Sequence, residues 1–62
     1  MKNFRVFIER DNSWHYFGTF KAKNTEMALE LARSSKHELL GTYSFEEEEI
    51  PYINMEAEEL PF

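Results

Sequence analysis

The chain has 62 residues, no cysteine, a formal net charge of -5 at pH 7 and a sequence pI of about 4.9. Such a length accommodates one domain that buries only about 60% of its unfolded surface, with no disulfide and no cluster of metal ligands to reinforce it. The acidic balance excludes nucleic-acid phosphates and anionic membranes as natural partners, and no apolar run approaches the ~20 residues of a membrane span.

Phe4-Arg5-Val6-Phe7-Ile8-Glu9 alternates and is rich in aromatic and β-branched residues, so it reads as a strand. Asp11-Asn12-Ser13 is a turn cluster, and Trp14 to Ala22 reads as a second strand. Loop length sets which residues share a face. A three-residue loop places Ile8 opposite Tyr16, Val6 opposite Gly18 and Phe4 opposite Phe20, gathering the best apolar residues on one side. A two-residue loop would pair Val6 with Phe17 and mix the faces. The three-residue loop is therefore expected. On the back face it sets Phe7 opposite Phe17, Arg5 opposite Thr19 and Glu9 opposite His15.

From Asn24 to His37 the pattern is that of the chain's only helix. Met27, Ala28, Leu31, Ala32 and Ser35 form one stripe, which Leu39 extends. Asn24 or Thr25 can cap its start, and Gly41 can supply a left-handed stop. The predicted core is Phe4, Val6, Ile8, Phe20, Met27, Leu31 and Ala32. Thr42-Tyr43-Ser44-Phe45-Glu46 reads as a third strand. A right-handed crossover places it beside the first, giving the order 2-1-3. The fold class is thus α+β, strand-strand-helix-strand, with one helix on a three-stranded antiparallel sheet over residues 1–50. Residues 51–62 carry Pro51, Pro61 and much acid, and are expected as a flexible tail.

No constellation for chemistry emerges. His15 and His37 do not converge, and Ser34 and Ser35 point away from a base. Glu26 and Glu30 lack the Glu-x-x-His spacing of a diiron helix. No enzyme activity, cofactor or metal is expected, and the absence of cysteine and of a leader segment fits the cytoplasm. The expected working surface is the back face: Arg5, Phe7, His15, Phe17 and Thr19, joined by Tyr43 and Phe45 of the third strand. Two phenylalanines on a face left in water mark a contact surface, and a chain this short gains from pairing with a second copy, so a homodimer is expected.

The run Gly18-Thr19-Phe20-Lys21-Ala22-Lys23-Asn24-Thr25-Glu26-Met27-Ala28-Leu29-Glu30-Leu31-Ala32-Arg33 resembles, without a gap, the phenylacetic acid degradation protein B family. The members of that family are the B subunits of the phenylacetyl-CoA epoxidase complex. Phe4-Arg5-Val6-Phe7-Ile8 is similar to the family's first strand, so the resemblance covers roughly residues 4–36. It implies a non-catalytic scaffolding subunit that bridges protein partners, epoxidase subunits among them, while the diiron chemistry belongs to another chain. The alternative is a small acidic inhibitor whose Glu46–Glu49 run mimics nucleic-acid phosphates toward a nucleic-acid enzyme.

Overall fold

Alternation at the start of the chain becomes a hairpin. The structure, a computed structural model, describes residues 1–61. Strands β1 (Lys2–Arg10) and β2 (Ser13–Ala22) are followed by helices α1 (Thr25–Arg33) and α2 (Lys36–Gly41). A 3-10 helix (Glu47–Tyr52) and strand β3 (Met55–Glu59) complete the fold. The sheet is antiparallel with order β2-β1-β3, the α+β arrangement and strand order expected from the sequence.

The hairpin closes through two residues, not three. Asp11 (φ 54°) and Asn12 (φ 65°) are both left-handed, as in the turn whose twist matches a hairpin, and Arg10 pairs with Ser13. This register holds through Phe7–Tyr16 and then slips by one, so that Val6 pairs with Gly18, Arg5 with Thr19 and Phe4 with Phe20. The extra residue is Phe17, held in a β-bulge. The turn dictates one register and the apolar pairing at the open end dictates the other, and the bulge reconciles them. Near the turn the expected pairs are accordingly replaced: Ile8 faces His15, and Glu9 faces Trp14.

Asn24 caps α1, its side-chain oxygen accepting from the Met27 amide at 2.9 Å. The single long helix expected over residues 24–37 is instead two. The hydroxyls of Ser34 and Ser35 donate to the carbonyls of Glu30 and Leu31 at 2.9 and 3.1 Å, and the backbone leaves helical geometry at Ser35 (ψ 56°). Gly41 is no left-handed stop. It belongs to α2, and the left-handed residue beyond the helices is Ser44 (φ 57°).

The break redirects Leu39 and divides the core. One cluster joins Phe4, Val6, Ala22, Ala28 and Ala32, and the other joins Ile8, Leu39, Phe45, Ile50 and Ile53. Phe17 and Met55 pack against both. Of the predicted core, Phe4, Val6, Ile8 and Ala32 are buried, while Phe20 and Met27 are half-buried. Leu31 is not part of it: it is 37% exposed, and its neighbour Leu29 takes the half-buried place.

The third strand is also displaced along the chain. Tyr43 and Phe45 do not extend the sheet; they fold inward over the second cluster. Met55–Glu59 pairs with β1 in their stead, from Ile8–Met55 to Phe4–Glu59, so the segment read as a tail supplies a sheet edge. Two arginines hold the irregular connection. The Arg33 guanidinium donates to the carbonyls of Ile50 and Ile53 at 2.7 and 3.0 Å. That of Arg10 lies 4.3 Å over the Phe45 ring and donates to the Ser44 carbonyl at 3.3 Å.

Candidate functional site

With both helices and the connection on one side, the other side of the sheet has no element over it among the described residues. Side chains of paired residues share a face, so the register names its occupants. Arg5 lies between Thr19 and Glu58, and Phe7 between Tyr16 and Glu56. Lys21 flanks Asn3 at one end, and Trp14 flanks Glu9 at the other.

The centre of this face is a shallow groove of about 560 Å³ lined by Asn3, Arg5, Phe7, Tyr16, Thr19 and Leu60. Phe7 and Tyr16 meet edge to face with ring centroids 6.0 Å apart. The Tyr16 and Thr19 hydroxyls share a hydrogen bond of 2.7 Å. Arg5 pairs with Glu58 at 3.2 Å. Tyr16 and Trp14 are about half exposed, so a large aromatic surface stays in water beside a charge pair.

Of the seven side chains predicted for an interface, Arg5, Phe7 and Thr19 lie on this face. Phe17, Tyr43 and Phe45 do not, because the bulge and the inward fold of the connection carry them to the helix side. There Phe17 stacks on Phe20 at 6.0 Å and meets Tyr43 at 5.7 Å, and Tyr43 lies 6.5 Å from Phe45. His15 pairs with Ile8 and so turns to the helix side too, 6.3 Å from the Tyr43 ring. The partner expected for it, Glu9, instead accepts from the Asn54 amide at 2.8 Å. Sequence reasoning missed Trp14, Tyr16, Lys21, Glu56, Glu58 and Leu60. The tolerance of Asp11-Asn12 for left-handed geometry was the signal for the first two, and the alternation Met55-Glu56-Ala57-Glu58 was the signal for the strand carrying the acids.

Glu47 and Glu49 of the acidic run, and Glu59 beyond it, pair with cations of the same chain. Glu47 pairs with Lys36 at 3.2 Å, Glu49 with Arg10 at 3.8 Å and Glu59 with Lys2 at 3.4 Å. All are solvent-exposed pairs worth at most about 1 kcal/mol each. Among the described residues, no group of three or more His, Asp or Glu side chains could hold a metal ion, and no helix is long and apolar enough to cross a membrane. No protein-family model, curated protein or solved structure matches the chain.

Proposed function

We propose that this chain is a non-catalytic protein-interaction module that works through the uncovered face of its sheet. The observation that carries the reading is the Phe7–Tyr16 pair, a half-buried ring against a half-exposed one, at the centre of a face with Arg5 and Thr19 beside it. Aromatic side chains with arginine nearby are the usual anchors of protein interfaces, and a flat sheet face suits a protein surface better than a small molecule.

The resemblance to the epoxidase B subunits supports the same class of function: a bridging subunit without chemistry of its own. Residues of the resembling run have evident packing roles here. Gly18 follows the bulge, Ala22, Ala28 and Ala32 are buried, and Arg33 clamps the connection. The run therefore speaks for a shared way of building the module, and epoxidase-type subunits, reached by the single chain or by a dimer of it, are the partners the resemblance implies. The mimic reading draws little support, since Glu47 and Glu49 face lysine and arginine of the same chain.

A photo-crosslinking residue in place of Lys21, at the rim of the face, tests the reading in living cells. Tyr52, 83% exposed on the 3-10 helix, is the control position. A discrete adduct from position 21, absent from position 52 and abolished by Tyr16→Ser, is expected. Equal adducts from both positions, or none from position 21, would refute the assignment.

A further inference from the structure

We infer that the occupant of the uncovered face is a second copy of this chain, set by a two-fold axis that runs along β1 between the two sheets. This rests on the interaction reading above and names its partner. Charge is distributed unevenly across the face. The β3 edge presents two carboxylates, Glu56 and Glu58. The β2 edge presents no acid at all: its side chains there are Trp14, Tyr16, Thr19 and Lys21. One edge is acidic and the other offers hydroxyls and an ammonium, so the face is complementary to itself in one orientation.

Two sheets packed face to face by a two-fold have that axis in the plane between them. An axis perpendicular to the strands lays β3 on β3 and brings four carboxylates together. An axis along β1 lays β2 of each copy on β3 of the other. The two rows of the face then match residue by residue. In the row Tyr16–Phe7–Glu56, Phe7 meets its own counterpart on the axis, and each Tyr16 meets a Glu56. In the row Thr19–Arg5–Glu58, each Thr19 meets a Glu58. The Tyr16 and Thr19 hydroxyls carry two hydrogens and use one in their mutual bond, which leaves one to donate to a carboxylate across the interface. The Glu56 side chain makes no hydrogen bond or ion pair among the described residues, so its carboxylate oxygens are available. The two Arg5 side chains approach near the axis, each already paired with its own Glu58 at 3.2 Å.

The area sets the strength. At ~3.3 Å per residue and ~4.8 Å between strands, the 24 residues of the three strands cover roughly 380 Å² per copy. Stable dimers bury about 800 Å² per partner, so this one is a weak, concentration-dependent dimer.

Sedimentation equilibrium tests the partner, and disulfide trapping tests the orientation. The mass should rise from 7.5 kDa toward twice that value as concentration increases. Tyr16→Ser with Glu56→Lys should weaken association about tenfold or more while the thermal midpoint stays within a few degrees. A wild type that remains at 7.5 kDa at ~1 mM overturns the inference. The chain has no cysteine, so single Thr19→Cys and Glu58→Cys chains, both altered at exposed positions, report cleanly. Mixed under mild oxidant, they should cross-link to each other at least several-fold faster than either does to itself. Faster self-linking of the Glu58→Cys chain would show β3 on β3 and overturn the proposed axis. A chain that stays monomeric but gives a Tyr16-dependent adduct of other mass from position 21 leaves the interaction reading standing and removes the second copy.

Discussion

Leu39→Ala and Leu31→Ala make the sharpest comparison in this molecule. The same atoms are removed from two helices, and the sequence pattern assigns Leu31 to the core. In the structure Leu39 is fully enclosed by Ile8, Phe45, Ile50 and Ile53. Leu31 is 37% exposed and lines an outer groove with Met27, Glu30, Arg33 and Ser34. For Leu39 the loss combines transfer and cavity terms, about 3–4 kcal/mol. For Leu31 part of the side chain is already in water and no closed cavity forms. About 1 kcal/mol is expected, partly offset by the better helix propensity of alanine. At ~0.05–0.15 kcal/mol per residue, a chain of 62 residues has about 3–9 kcal/mol in total. Leu39→Ala thus removes a third of that stability or all of it, and Leu31→Ala a small share. Urea unfolding followed by far-UV circular dichroism reads the difference. The Leu39→Ala midpoint should fall roughly 1.3–3 M further, at about 1–1.5 kcal/mol per molar urea. Equal midpoints, or a larger fall for Leu31→Ala, would refute the division of the core.

Three further substitutions probe the devices that hold the fold. Arg33→Ala removes two charge-assisted hydrogen bonds to the Ile50 and Ile53 carbonyls and should lower stability by about 1.5–3 kcal/mol; hydrogen exchange should quicken first in residues 47–53. Asn24→Ala removes the cap of α1 at a cost of about 1 kcal/mol, whereas Asn24→Gly should lose only a few tenths; thermal melts of the two separate them. Asn12→Gly relieves left-handed strain in the hairpin turn and should raise stability by up to ~1 kcal/mol, while Asn12→Val should lower it. A lower melting temperature for Asn12→Gly would contradict the two-residue turn.

The order of the sheet, the hairpin, the capped start of α1 and the apolar face of β1 were legible in the chain because each rests on local chemistry. Period-2 alternation marks β1, an asparagine before a 3.6-residue stripe marks α1, and a right-handed crossover sets the strand after the helices beside β1 whichever segment supplies it. The end of α1 was less legible. Ser34 and Ser35 can continue a helix or terminate it, and what they do depends on whether a core exists for Leu39 to turn into. Tertiary packing alone fixed the rest. The hairpin register is a compromise between the turn at Asp11-Asn12 and the apolar pairs at the open end, and neither end by itself calls for Phe17 as an extra residue. The third strand, expected at Thr42–Glu46, forms at Met55–Glu59 instead. Tyr43 and Phe45 are the better strand formers, but they fill the second cluster beneath Arg10. The weaker Met55-Glu56-Ala57-Glu58 then takes the edge of β1, where a methionine and an alanine suffice for the core side. That exchange also put carboxylates, instead of aromatics, on the uncovered face. Its chemistry was therefore set by competition for the core, which no local stretch of sequence encodes.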